Sequence, residues 1–177
     1  MACNTNTLNT IDARCDNSVG GIKRILIGHK DTVANITFDQ STGKITDINH
    51  VGNPFVEWKF RKNTGSYTSS VSVDPTIGNT VVTTDVNLQF SRAEAQKRLD
   101  IQSAINAEAV VIIEDMYGQF ILIGEENPVT ITSAVMQSGT ATTDLSGFTL
   151  TFQDIAQEFP RFIDEAFDVN DLLTMGA

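Results

Sequence analysis

The chain has 177 residues, 22 of them acidic and 12 basic, for a formal charge of −10 and a sequence pI near 4.5. That length suits one domain with a real core, and a hydrophobic share of 41% excludes an intrinsically disordered chain. So acidic a surface repels phosphates, which argues against sequence-specific DNA binding, and no apolar run is long enough for a membrane-spanning helix.

Residues 1–18 are polar, rich in Asn and Thr, and lack both periodicity and the apolar stretch of a secretory signal. They read as an N-terminal arm, with Cys3 and Cys15 expected as free thiols and folding expected inside a cell. A body over 19–158 follows. Gly20-Gly21 opens a strand through Ile22 to His29, and Asp39-Gln40-Ser41-Thr42-Gly43 joins two further strands as a hairpin. In Phe55 to Arg61, Val56, Trp58 and Phe60 alternate with Glu57, Lys59 and Arg61, predicting one core face and one wet face. Asn63-Thr64-Gly65 leads from there to a Ser/Thr-rich partner strand, Tyr67 to Val73. Thr80 to Phe90 has the cleanest alternation: Val82, Thr84, Val86, Leu88 and Phe90 point one way, Asp85, Asn87 and Gln89 the other.

Ser91 and Glu94 have the spacing of a capping box and predict a helix over 91–106, with Glu94 pairing with Arg98 and with Leu99, Ile101, Ala104 and Ile105 buried. The helix feeds two apolar runs, Ala109 to Ile113 and Phe120 to Ile123. Runs without alternation imply strands covered on both faces, one by a second sheet and one by the helix. Val129 to Met136 and Phe148 to Phe152 are the last strands, and Pro160 ends the pattern. Residues 159–177 carry Phe162, Ile163, Phe167, Val169, Leu172 and Leu173 among acids, and are expected to dock on the body or on a neighbour. The expected fold is mainly β: a sandwich or barrel of about eight or more strands flanked by one α-helix.

Few residues suggest chemistry. His29 and His50 belong to no metal-binding motif, Asp39 to Lys44 departs from a calcium loop, and phosphate-binding glycine loops and a nucleophile elbow are absent. Glu114-Asp115, Glu125-Glu126 and Asp164-Glu165 read as solvated strand edges, and Trp58 with Phe60 as core more than as a sugar-stacking platform. No catalytic, cofactor-binding or metal site is expected, and no enzyme.

The layout of Val19 to Lys30, Phe55 to Phe90, the helix from Ser91, and Phe148-Thr149-Leu150-Thr151-Phe152 with its Phe159-Pro160 ending resembles the tail tube and tube-like ring proteins of tailed bacteriophages. The Met-Ala-Cys-Asn opening and the Asn/Thr-rich composition resemble structural proteins of phages of Bacteroides-type hosts, including crAss-like phages. The resemblance implies a virion tail protein, assembled in the host cytoplasm as a homo-oligomeric ring, a hexamer or dodecamer. Such a ring contacts neighbouring tail or connector proteins and passes DNA without sequence-specific binding. On that reading Asp85, Asn87 and Gln89 are lumen candidates, because a conduit wall needs polar or acidic side chains. Glu57, Lys59, Arg61, Phe159, Phe162, Phe167, Leu172 and Leu173 are candidate subunit contacts. A head-tail connector or tail completion protein, and a non-enzymatic receptor- or glycan-binding sandwich using Trp58, are the alternatives.

Overall fold

A computed structural model describes residues 20–174 apart from 53, 75, 77, 142 and 143. The expected N-terminal arm, with Cys3 and Cys15, lies outside the described residues. In chain order the elements are β1 (Ile22–His29), a 3-10 turn (Lys30–Thr32), β2 (Val33–Phe38), β3 (Ile45–His50), β4 (Val56–Trp58), β5 (Gly65–Asp74) and β6 (Asn79–Ser91). There follow α1 (Ala95–Ile105), β7 (Ala109–Asp115), β8 (Phe120–Ile123), β9 (Thr130–Gln137), β10 (Gly147–Ala156), β11 (Arg161–Phe162) and a second 3-10 turn (Val169–Leu173). The fold is mainly β, the described residues forming one α-helix and three antiparallel sheets, ordered β5-β6-β10-β9, β11-β8-β7-β1-β4 and β2-β3.

The five-stranded sheet is the middle layer, and strand parity explains why. On β7, Ala109, Val111 and Ile113 join Val86, Leu88, Leu150 and Phe152 of the four-stranded sheet in one core. Val110 and Ile112 point the other way, into a second core with Ile45, Ile48, Phe55, Val169 and Leu172. Each fully buried aliphatic side chain contributes on the order of 1.5–3 kcal/mol. A strand used on both faces therefore needs apolar residues at every position, as Ala109 to Ile113 has.

The second face is covered by the β2–β3 hairpin and the C-terminal segment, not by the helix. Helix α1 buries only Ile101, and Leu99 is 52% exposed, so it has no face broad enough to cover a sheet. Ile105 packs against the inner core at its flank. The hairpin matches its sequence signal: the Asp39 carboxylate accepts hydrogen bonds from the Ser41 N–H and hydroxyl, and Gly43 takes a φ of +69°.

The expected capping box is not formed. Ser91 is the last residue of β6, opposite Gly147 on β10, and the Arg92 N–H donates to the Ser146 carbonyl. A Cβ at position 147 would lie 1.8 Å from the Phe90 carbonyl oxygen, so this close ladder end requires glycine. Arg92 then turns the chain at a φ of +66°, and the helix starts at Ala95 behind an extended Glu94 whose side chain makes no cap hydrogen bond. Glu94 pairs with Arg92 and Lys97, at 3.3 and 3.5 Å, and not with Arg98.

The expected seven-residue strand from Phe55 is cut to three residues and pairs with β1, while the Tyr67–Val73 segment pairs with β6. At its start Phe55 stands outside the ladder: its ring lies against Gly28, where a Cβ would stand only 2.7 Å away, and it is buried in the outer core. Trp58 and Phe60 pack on the inner core instead, and Val56 is exposed.

Residues 159–174 are part of the body. Arg161 and Phe162 pair with Leu122 and Ile121 of β8, Ile163 bridges Ile45, and the Phe55 N–H donates to the Leu172 carbonyl at 2.9 Å.

Candidate assembly surfaces

The alternation of β6 places Asp85, Asn87 and Gln89 on the outer face of the four-stranded sheet, away from the core. Their neighbours on β10 are Gln153, Thr151 and Thr149, and on β5 Thr68 and Ser66 lie opposite Asp85 and Asn87. The Thr151 hydroxyl donates to Asn87 Oδ1 at 2.8 Å, and Gln153 Nε2 to Asp85 Oδ1 at 2.9 Å. The result is a layer of hydroxyls and amides with one carboxylate. None of the four strands contains a lysine, arginine or histidine.

This sheet has two long open edges. β5 supplies one and β9 the other, and both are exposed along almost their whole lengths, including Val71, Val73, Val135 and Met136. The three ladders between them are antiparallel, so β5 and β9 themselves run in opposite directions. Unpaired N–H and C=O groups on such edges are templates for another strand. The middle sheet, by contrast, ends in the two-residue β11 and the three-residue β4, which leave little edge to pair.

The eight expected contact residues divide. Lys59 and Arg61 are exposed, beyond the end of β4, and Phe159 and Phe162 are 56% and 44% exposed. Glu57 is turned inward, pairing with Arg24 at 3.4 Å and Lys59 at 3.2 Å, so the three charges do not form one wet face. Leu172 is buried in the chain's own outer core and is not on the surface, and the partly buried Phe167 and Leu173 pack against that core. The C-terminal acids around them gave no sign in sequence of which side chains would point inward.

Two buried carboxylates escaped the sequence reading. Glu114, expected at a solvated edge, is 4% exposed and binds both Lys23 and Arg24. Burial pushes its carboxyl up, but hydrogen bonds and charge from Lys23 and Arg24 outweigh that and hold it below the ordinary carboxylate range. Arg24 also reaches Glu57 and, at 3.1 Å, Asn170 Oδ1, tying the C-terminal segment to β1. Asp154, at the far end of β10, is 5% exposed, and its Oδ1 has no hydrogen-bond partner among the described residues. Burial raises its pKa against the backbone hydrogen bonds from Gly124 and Ile155; Glu126 adds to the rise and Lys30 opposes it.

A groove of about 620 Å³ runs between α1, β1 and β4, lined by His29, Trp58, Asp100 and Ser103 among others. The Trp58 ring meets Phe90 and Phe152 edge-on, with centroids 5.6 and 6.1 Å apart, and so fills the flank of the inner core. His50 lies elsewhere, its Nε2 3.1 Å from the Thr174 carbonyl oxygen. Among the described residues no group of three His, Cys, Asp or Glu is placed to hold a metal ion, and no helix is long and apolar enough to cross a membrane. Comparison with family models, with curated proteins and with solved structures returns no match for this chain.

Proposed function

We propose that this chain is a structural subunit of a phage tail, forming a closed homo-oligomeric ring, hexamer or dodecamer, through which DNA passes. The observation that carries the reading is the four-stranded sheet, which combines two open edges with an outer face free of basic side chains. Rotation about a ring axis brings β5 of one copy beside β9 of the next, and because the two strands run in opposite directions the new ladder is antiparallel. The sheet then continues around the ring and hides both edges.

Its polar face becomes the lumen wall. DNA sliding over Asp85, Asn87, Gln89 and the threonines of β10 meets no cation that would hold its phosphates, and so no counterion release that would fix it in place. The hairpin and the C-terminal segment, on the far side of the middle sheet, become the outer wall. Such a ring belongs in the virion tail after assembly in the host cytoplasm, against neighbouring tail or connector proteins. A connector position uses the same geometry, and no step of the reading involves a catalytic residue, metal or cofactor.

The edges provide the test. Val71→Lys on β5 or Val135→Lys on β9 puts a charge on an exposed edge residue without touching the core. Either substitution is expected to leave the circular dichroism spectrum and the unfolding midpoint unchanged while shifting the sedimentation profile from rings to monomers. Rings that persist in both variants contradict edge-to-edge closure.

A further inference from the structure

Helix α1 does not close over the sandwich where it faces β1 and β4. Asp100, Ser103 and Ala104, at the i, i+3, i+4 spacing of one helix face, line one wall, and Ile27, Ile131 and Phe152 from the two sheets line the other. Between them lies the groove of about 620 Å³, inside the range of roughly 300–1,000 Å³ usual for small-molecule sites.

Its floor is apolar. Phe152 belongs to the inner core, and Ile27, Ile131 and Trp58 pack against that core. Trp58, half-buried, also lines a smaller recess of about 170 Å³ that holds Lys59, Phe90 and Lys97, and Asp100 lines both hollows.

Ion pairs alone sort the charges around these hollows. Glu57 pairs with Arg24 and Lys59, and Lys97 pairs with Glu94. Asp100 is exposed and makes no ion pair with any described residue: its Oδ1 accepts a hydrogen bond from the neutral Gln96 amide at 2.9 Å, so its charge is not matched. Ser103 donates its hydroxyl hydrogen to the Asp100 carbonyl, which leaves the hydroxyl oxygen able to accept. No described lysine or arginine lines the groove itself, and His29 stands exposed at its β1 end.

We propose that this groove is a binding site for a small organic cation, an ammonium group carried on an apolar or aromatic body. The body lies against Ile27, Ile131 and Phe152. The ammonium sits at the rim, where Asp100 supplies the opposite charge, Ser103 an acceptor oxygen and Trp58 an indole that attracts cations. An anion meets the Asp100 carboxylate there, and an uncharged molecule of the same shape has only the floor to bind. This site goes beyond the ring reading and does not rest on it.

The chain carries one tryptophan, so its emission reports on this site alone. Three probes share one phenyl body and differ in the head: phenylethylammonium, phenylethanol and phenylpropionate. Each is titrated into the full-length chain at neutral pH, with Trp58 emission and calorimetry as readouts. The ammonium is expected to bind saturably, about tenfold more tightly than the alcohol, with the carboxylate weakest. Asp100→Lys, at an exposed helix position, is expected to invert that order, so that the carboxylate binds best. Ala104→Leu puts bulk into the groove and is expected to weaken all three, and both variants are expected to keep the wild-type circular dichroism spectrum. The inference is overturned by an ammonium that shows no saturable binding in either readout, by three heads that bind alike, or by an Asp100→Lys variant that keeps the wild-type order.

Discussion

Thr151 donates its hydroxyl hydrogen to Asn87 Oδ1 across the β6–β10 ladder, 2.8 Å away on the solvent side of the sheet. Together with the Gln153–Asp85 bond it uses polar groups that would otherwise bind passing molecules, on a face that carries no basic side chain. Asn87→Arg replaces an exposed amide with a guanidinium at the centre of this face. The wild-type ring is expected to elute from immobilised duplex DNA with no salt-dependent retention. The variant should be retained at about 50 mM salt and released by about 200 mM, with a log–log salt slope that grows with the number of subunits. Equal retention of the two proteins contradicts the lumen assignment.

Glu114 is buried, Arg24 is half-buried and Lys23 is exposed, so removing the carboxylate's charge takes two charge-assisted hydrogen bonds from it while its cations still reach water. Glu114→Gln is expected to cost about 1.5–3 kcal/mol, read as a lower denaturation midpoint at neutral pH. The sign with pH follows from its lowered pKa. Its contribution is present above the ordinary glutamate range and is lost as pH falls through the depressed folded-state value. The gap between wild type and variant should therefore close in acid.

Asp154 has the opposite sign. Its folded-state pKa is raised, chiefly by burial, so the folded state gains on the unfolded one when the group is protonated. That stability is present below the ordinary aspartate pKa and is lost as pH rises through the raised value. Asp154→Asn removes the charge and keeps the shape. The variant is expected to unfold at a higher temperature than wild type at about pH 7, by the equivalent of 1–3 kcal/mol, and to converge with it near pH 4. A variant less stable than wild type at pH 7 refutes the assignment.

Much of this fold was legible in the chain. The hairpin around Asp39 and Gly43, the alternation of β6 and the unbroken apolar run of β7 each follow from a period or a turn residue, and all three stand as expected. What misled was information that lives at long range. Ser91 and Glu94 have capping-box spacing, yet Ser91 is drawn into the ladder by Gly147, more than fifty residues away. Phe55 stands outside the ladder, its ring where Gly28 makes room for it. Glu114 follows five buried apolar residues and looks like the wet end of a strand, because Lys23 and Arg24 are adjacent only in the fold. The exposed edges of β5 and β9 are likewise a property of strand order, which no local pattern carries.

Leu172 is the clearest case of a residue moved from one role to another. In sequence it belongs to an acidic tail with apolar side chains to spare; in the fold it closes the outer core against Phe55 and Ile48. Leu172→Ala is expected to destabilise the monomer by about 2–5 kcal/mol in urea denaturation, with ring formation at low temperature retained. Loss of ring formation with unchanged stability returns this residue to the subunit interface.

The central claim is that the chain closes on copies of itself around a hole. Light scattering on the purified chain, with negative-stain imaging of the same fraction, tests it most directly. A mass of six or twelve subunits, in rings with a central opening, is the result the account expects. A monomeric mass at every concentration, with no rings in the images and both sheet edges still open, contradicts it.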